Sequence, residues 1–169
     1  MPSTFDIPSN SRVLIIGNSG AGKSWLATRL AIKLRAPHID LDDLYFVGEG
    51  YRQTRTKAAT IDRALTMASQ ACWVMEGIYG WLAEPLLATT THLVWLTPSS
   101  EACVANIIAR GQRGAPTESF IELLAWAGTY QSREGSSAFG FHQKLFSGFG
   151  GSKYQLRSRH EISQRLACW

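Results

Sequence analysis

The sequence predicts an α/β fold in which a parallel β-sheet of about five strands is flanked by helices on both faces. Short apolar runs, typical of buried strands, alternate with segments whose apolar residues recur at helical spacing. The order β-loop-α-β-α-β-α-β-α-α-β-α favours a parallel sheet, because each crossover helix packs on one face of it. We expect one domain over residues 1–169, a length sufficient for one buried core.

Composition narrows the classes of partner. Charged residues interrupt every apolar run before it reaches the ~18 residues that a membrane span needs. The N-terminus does not resemble a secretory signal, so we expect a cytoplasmic protein with no membrane partner. The net charge of +4 suits an anionic ligand such as a nucleotide, but it is too small and too evenly spread to favour nucleic acid. The three cysteines have no zinc-site spacing and are interpreted as reduced thiols. Composition leaves the oligomeric state open.

The first predicted strand, residues 12–16, runs directly into the spacing Gly-x-x-x-x-Gly-Lys-Ser, and a helical pattern follows to residue 34 or 35. This is the phosphate-binding P-loop in the strand-loop-helix context that it requires. The alternative is a glycine-rich turn that only links a strand to a helix. The residues expected to bind the nucleotide here are Gly17, Asn18, Ser19, Gly20, Ala21, Gly22, Lys23, Ser24 and Trp25.

The chemistry of the loop explains its composition. Glycines allow the backbone to wrap closely around a phosphate, and the amides then converge on the anion at the positive end of a helix. Lys23 is expected to reach the β- and γ-phosphate oxygens, and the Ser24 hydroxyl to bind Mg²⁺.

A cluster of carboxylates follows Pro37, which ends the first helix. Residues 38–44 are predicted to form a short strand that finishes in Asp40, Asp42 and Asp43. These side chains either contact the substrate or the metal shell, or they are structural, with Asp42 or Asp43 capping a helix through residue 44. Asp40 or Asp42 could also orient or deprotonate an acceptor hydroxyl.

Residues 46–56 have no clear period and are predicted to be a mobile loop whose Arg52 closes over the substrate. An amphipathic helix over 57–71 leads to the stretch 72–80, which begins with a buried strand that ends in Glu76 followed by Gly77. An acid at this place holds Mg²⁺ or its water shell, as the Walker B Asp does. The alternative is an ordinary charged strand end. The turn that begins at Tyr79 is expected to border the acceptor.

A helix over 81–87 and a strand over 91–97 come next, and Ser99 or Ser100 caps a further helix. Residues 110–135 are predicted to form a small lid that includes a helix over 117–131. Arg110, Arg113 and Arg133 are candidate catalytic residues, because guanidinium groups stabilise the charge on a transferring phosphoryl group. The alternative is a basic, solvated helix end.

The remaining segments are predicted to be a small aromatic helix within 136–149, a last strand over 153–156 and a closing helix over 160–167. His142 is interpreted as structural or as an unknown contact.

These motifs together resemble the P-loop kinases of small molecules, the group that holds nucleoside monophosphate kinases and shikimate kinase. The chain is most similar to bacterial adenylate-kinase-like ATPases of the DNA topology modulation type. The resemblance implies ATP as donor, Mg²⁺, Asp40 and Asp42 at the acceptor, and Arg157 beside the adenine. Nucleoside monophosphate kinases carry Asp-Gly-x-Pro-Arg where this chain has Glu-Gly-Ile-Tyr-Gly from Glu76.

The leading hypothesis is therefore an ATP-dependent kinase that acts on a nucleotide or a hydroxylated metabolite. The alternative is a nucleotide-binding regulatory ATPase module that contacts nucleic acid, which would bind with a steep dependence on salt.

Overall fold

The structure is a computed structural model that describes residues 7–48, 53–112 and 117–169. Five parallel strands form the main sheet, as predicted. The strands in chain order are β1 (Arg12–Gly17), β2 (His38–Asp40), β3 (Phe46–Val47), β4 (Gln53–Thr54), β5 (Trp73–Gly77), β6 (His92–Leu96) and β7 (Ser152–Leu156). The helices are α1 (Lys23–Leu34), α2 (Leu41–Tyr45), α3 (Lys57–Ala68), α4 (Gly80–Leu86), α5 (Ser100–Arg110), α6 (Thr117–Gly128), α7 (Phe139–Gly148) and α8 (Arg159–Cys168).

The main sheet has the order β2-β5-β1-β6-β7, with every neighbouring pair parallel. This order confirms β1 as the central strand. Ile15 lies opposite Glu76 on one side and Val94 on the other. Because parallel strands point the same way, the loops after β1, β2 and β5 meet at one edge of the sheet, where open α/β sheets bind ligands.

The core lies on both faces of the sheet because successive side chains of a strand point in opposite directions. Val13 and Ile15 pack with α1 and α8, whereas Leu14 and Ile16 pack with α2, α3, α4 and α7. All four side chains are completely buried. The prediction of helices on both faces is confirmed.

The carboxylate cluster differs from its prediction. The strand ends at Asp40, whose side chain accepts a hydrogen bond from the Asp42 amide at 2.9 Å and caps α2. The expectation of a strand through residue 44, with Asp42 or Asp43 as the helix cap, was wrong. Asp40 is the cap because its extended backbone places the carboxylate over the first free amides of the helix.

The segment expected to be a loop contains the small hairpin of β3 and β4. The Arg55 side chain holds it by donating to the carbonyls of Leu44 and Phe46, each at 2.9 Å. The expected closing residue Arg52 and the lid residue Arg113 lie outside the described residues. Within the described ranges, no helix is both long and apolar enough to cross a membrane.

Two glycines near helix starts give a matched test of packing. A Cβ on Gly80 would lie 2.1 Å from the Ser136 carbonyl oxygen and 2.5 Å from the Phe141 ring, whereas a Cβ on Gly140 meets nothing within 4 Å. We expect Gly80→Ala to lower the free energy of unfolding by about 1–3 kcal/mol through overpacking. Gly140→Ala should raise it by up to about 1 kcal/mol through lower backbone entropy in the unfolded chain. Equilibrium urea unfolding measures both, and equal effects of the two substitutions would contradict the packing described.

Candidate functional site

The loop between β1 and α1 is built on glycines with positive φ. Gly20 has φ +78°, and a Cβ there would lie 2.3 Å from the Cys103 carbonyl oxygen of α5. Gly22 has φ +96° and occupies the N-cap position of α1 without a side-chain cap. The loop can therefore press against α5, and it leaves the first amides of α1 for an anion.

Lys23 lies inside this loop with only 8% of its surface exposed. Its Nζ donates to the Asn18 carbonyl oxygen at 2.9 Å, and the Asn18 amide nitrogen donates to the Ala127 carbonyl oxygen of α6 at 2.8 Å. The ammonium group is thus held by a neutral carbonyl at the centre of the loop. An anion of a ligand is a stronger partner for this charge than a carbonyl.

Ser24 and Glu76 join the loop to β5. The Ser24 hydroxyl donates to Glu76 Oε1 at 2.6 Å, and His38 Nε2 lies 3.6 Å from the same oxygen. Burial alone would raise the pKa of Glu76, but the His38 and Ser24 hydrogen bonds and the Lys23 charge outweigh it and lower that pKa. The hydrogen bond to Glu76 in turn raises the pKa of His38, despite the opposing effect of burial. Glu76 is therefore ionised at neutral pH.

The two aspartates beside this pair have the opposite shift. Burial, together with the neighbouring Glu76 and Asp42 charges, raises the pKa of Asp40 to about 7. Burial also raises the pKa of Asp42, with Lys23 acting against it. Asp42 Oδ1 is buried and accepts no hydrogen bond from the part of the chain that the structure describes. Such an oxygen is costly to bury, so it marks a place where a ligand would supply the missing donor.

These groups surround one cavity of about 460 Å³, a size typical of small-molecule sites. The candidate residues that line it are Ser19, Gly20, Gly22, Lys23, Ser24, Trp25, Asp40, Asp42, Glu76 and Arg110. Its other lining residues are Gly77, Ile78, Asn106, Ala109 and Arg159. Gly17, Asn18 and Ala21 complete the loop behind this wall.

The oxygen donors in the cavity suit Mg²⁺. Ser24 Oγ, the Glu76 carboxylate and Asp42 Oδ1 are all hard oxygen ligands. Across residues 7–48, 53–112 and 117–169, no three His, Cys, Asp or Glu side chains are grouped so that they could hold a metal. Proteins commonly bind Mg²⁺ through one or two carboxylates together with substrate phosphates and water.

Two candidates on the acceptor side lie outside the cavity wall. Asp43 is exposed on α2. Tyr79 belongs to a cluster of half-buried rings, with its ring centroid 5.2 Å from that of Tyr45 and 5.9 Å from that of Trp81. The cluster borders the cavity through Ile78, which precedes Tyr79 in the chain.

Two candidate arginines are also engaged elsewhere. The Arg133 guanidinium donates to the carbonyls of Trp126 and Ser137 and stacks on the Trp126 ring, with its Cζ 3.9 Å from the centroid. Arg157 is exposed and donates to Gln155 Oε1 at 3.3 Å. Neither side chain is among those that line the cavity.

Two polar residues that line the cavity were not predicted from the sequence. Asn106 lies one turn before Arg110 on α5, and its side-chain amide donates to the Gly20 carbonyl oxygen at 2.9 Å. The i, i+4 spacing was the available signal, because it puts both residues on one helix face. Arg159 begins α8 after the Ser158 cap, and its Cζ lies 5.2 Å from the centroid of the Trp25 ring.

Comparison with known proteins identifies the fold. A gluconokinase from Sinorhizobium meliloti is 16% identical, with a TM-score of 0.58 over 95% of this chain and 94% of that one. Shikimate kinase from Bacteroides thetaiotaomicron is 18% identical, with a TM-score of 0.53 over 93% and 94% of the two chains. Shikimate kinase from Acinetobacter baumannii, solved with shikimate, is 12% identical, with a TM-score of 0.56 over 93% and 89%. No protein-family model and no curated protein matches the sequence. The chain therefore has the fold of P-loop small-molecule kinases.

The raised pKa of Asp40 predicts that Asp40→Asn increases the stability of the fold by an amount that depends on pH. The pKa of Asp40 is about 7 in the folded state and 3.8 ordinarily. Between these two values the folded state keeps a proton that the unfolded chain has lost, so the carboxyl destabilises the fold increasingly as the pH rises from 3.8 to about 7. Asn keeps the helix cap. We expect the variant to melt at a higher temperature than the wild type above pH 7, with the gain disappearing below the ordinary pKa.

Thermal unfolding across this pH range measures the effect, and Asp62→Asn, exposed on α3, is the control. An increase in melting temperature from Asp40→Asn that is the same at every pH would contradict the raised pKa of Asp40.

Proposed function

We propose that the protein is an ATP-dependent phosphotransferase that uses Mg²⁺ and transfers the γ-phosphoryl group to a small hydroxylated acceptor. One observation carries the proposal: the buried ammonium of Lys23, the Ser24–Glu76 pair and the Asp42 Oδ1 atom, which has no hydrogen-bond partner among the described residues, line a single cavity. These are the groups that phosphoryl transfer requires, since its catalysis is mostly positioning and charge stabilisation.

The nucleotide would bind with its phosphates in the loop. Lys23 would exchange the Asn18 carbonyl for β- and γ-phosphate oxygens, and the amides at the start of α1 would donate to the same anion. Arg110, on the wall of the cavity, would approach the transferring group from α5. The predicted Arg113 follows three residues later in the sequence.

Ser24 and Glu76 would hold Mg²⁺, with Asp42 close enough in the same wall to contribute directly or through water. Bound there, the ion would neutralise charge on the phosphates. Glu76 is already ionised, as a ligand must be.

Asp42 and Asp40 would face the acceptor. The buried Asp42 Oδ1 needs a donor, and an acceptor hydroxyl supplies one. A general base is most effective when its pKa lies near the working pH, and the pKa values of both carboxyl groups are raised toward neutral pH. The gluconokinase and shikimate kinase folds described above support an acceptor of this small, hydroxylated kind.

The nucleoside would lie at the other end of the cavity, against the Trp25 ring. The Arg159 and Arg29 guanidinium groups flank this ring, with their Cζ atoms 5.2 Å and 3.8 Å from its centroid. Asn106 and Ala109 complete this end. Arg159 would therefore take the place beside the base that resemblance assigned to Arg157.

Lys23→Ala tests the proposal directly. Removing the ammonium group inside the loop should lower Mg-ATP turnover by about 100-fold or more, the usual effect of losing a charge-stabilising group. Lys33→Ala, at the exposed end of the same helix, is the matched control and should keep wild-type turnover. Turnover is measured by phosphate release, and circular dichroism confirms that both variants fold. A folded Lys23→Ala protein with wild-type turnover would exclude the proposed mechanism.

Inorganic tripolyphosphate separates the two ends of the cavity, because it has the phosphates of ATP without the nucleoside. We expect Arg159→Ala to weaken ATP binding by about tenfold, the value of one stacking or cation–π contact, and to leave tripolyphosphate binding unchanged. Lys23→Ala should weaken both ligands. Isothermal titration calorimetry measures the two affinities for each protein. If Arg159→Ala lost the same affinity for ATP and for tripolyphosphate, this arginine would instead contact the phosphates. Arg157→Ala, which removes an exposed side chain, is the control.

A further inference from the structure

A chain of polar groups crosses the apolar core behind the cavity. Trp95 Nε1 donates to the Tyr130 hydroxyl oxygen at 3.1 Å, and that hydroxyl lies 2.7 Å from His142 Nδ1. His142 Nε2 lies 2.8 Å from the carbonyl oxygen of Ile78. His142 is completely buried and Tyr130 almost so, and the function proposed above uses neither of them.

The donors and acceptors in this chain have only one consistent arrangement. An indole N–H can only donate, so the Tyr130 oxygen accepts from Trp95 and its own proton goes to His142 Nδ1. A carbonyl can only accept, so His142 carries its proton on Nε2 and donates it to Ile78. Burial lowers the pKa of His142 to about 4, which keeps the ring in this neutral form. Every polar atom of the ring is therefore satisfied.

This series of hydrogen bonds ends at Ile78, and both Ile78 and the preceding Gly77 are part of the cavity wall. Ile78 comes directly after β5, between the ionised Glu76 and the start of α4. The Ile78 carbonyl is thus fixed by a side chain from α7, a helix distant in sequence. A second hydrogen bond holds the same turn. The Gly80 amide donates to the Ser136 carbonyl oxygen at 3.0 Å, and the two residues are so close that a Cβ on Gly80 would clash with that oxygen.

The segment that carries Tyr130 also contacts the phosphate loop. Ala127, near the end of α6, accepts the hydrogen bond from the Asn18 side chain at 2.8 Å. Asn18 is in turn the residue whose carbonyl holds Lys23. Residues 127–142 therefore connect to the loop that would bind the phosphates and to the wall at Ile78.

We propose that His142 is a positioning residue, which through its hydrogen bonds to Ile78 and Tyr130 fixes the Gly77–Ile78 wall of the cavity relative to the phosphate loop. The inference rests on the proposed function, since it assigns the wall a part in aligning the acceptor or a water molecule with the γ-phosphoryl group. Displacing one reacting group by about 1 Å costs up to about 100-fold in rate, so a fixed wall has a large effect on turnover. It has little effect on nucleotide affinity, which the loop and the contacts at Trp25 and Arg159 determine.

Two amide substitutions each keep one of the two hydrogen bonds of His142. The longer side chain of His142→Gln would place an amide N–H where the ring Nε2 donates to Ile78, so this substitution keeps the bond to the wall. Asn is one carbon shorter, so His142→Asn can still accept from Tyr130 but cannot reach Ile78. Leu34→Ala, buried at the far end of α1, is the control for a general loss of stability.

Hydrolysis of Mg-ATP with water as acceptor and binding of a non-hydrolysable ATP analogue are measured well below the melting temperatures of all the proteins. We expect His142→Asn to lower turnover at saturating ATP by about tenfold to 100-fold, with analogue affinity within about threefold of wild type. His142→Gln should recover most of the turnover. Leu34→Ala should lower the melting temperature without changing turnover. Equal turnover in His142→Asn and the wild type, or equal loss in the Asn and Gln variants, would overturn the proposal.

Hydrogen exchange of residues 77–82 gives a second readout that does not need turnover. Exchange there should be faster in His142→Asn than in His142→Gln, and equal rates in both would also overturn the proposal. Failure of the proposed function would look different: the wild-type protein itself would neither bind the analogue nor depend on Lys23 for turnover.

Discussion

The placement of one ammonium group determines how the rest of the candidate site is arranged. Lys23 is almost completely buried, yet the hydrogen bond that holds it goes to the neutral carbonyl of Asn18. The carboxylates of Glu76 and Asp42 lie close enough to feel its charge, which helps to lower the pKa of Glu76 and opposes the rise that burial gives the pKa of Asp42. A buried charge is stable only with partners of this kind; the carboxylates are ligands that Mg²⁺ would use, and the ammonium group is the partner that a phosphate would use. The site is therefore preorganised for a charged ligand.

The fold makes this placement possible by bringing three strand ends together. The loop follows the central strand β1, and the neighbouring strand β5 supplies Glu76. The next strand, β2, supplies Asp40, and the helix α2 that follows it supplies Asp42. On the opposite side of the loop, α5 and α8 supply Asn106, Arg110 and Arg159. Carboxylates and guanidinium groups thus line one cavity from elements on opposite sides of β1 in the strand order, which matches the acceptor and nucleotide positions proposed above.

Much of this arrangement could be predicted from sequence because its signals are local. Buried strands and helices have distinct periods, and the loop motif has a fixed spacing, so the sheet, its central strand and the position of Lys23 follow from them. The features that a local pattern does not reveal depend on tertiary geometry. Arg157 and Arg159 are two residues apart, and only the cap at Ser158 and the direction of α8 put the second one in the cavity. The helix cap at Asp40 and the contacts that hold Arg133 likewise depend on neighbours that are invisible to a local pattern.

The most direct test of this arrangement is a crystal structure with Mg²⁺ and a non-hydrolysable ATP analogue. We expect the β- and γ-phosphates to occupy the loop, Lys23 Nζ to have left the Asn18 carbonyl for phosphate oxygens, and Ser24 and Glu76 to lie at the ion. An analogue bound elsewhere, or bound while Lys23 still donates to Asn18, would contradict the proposed site.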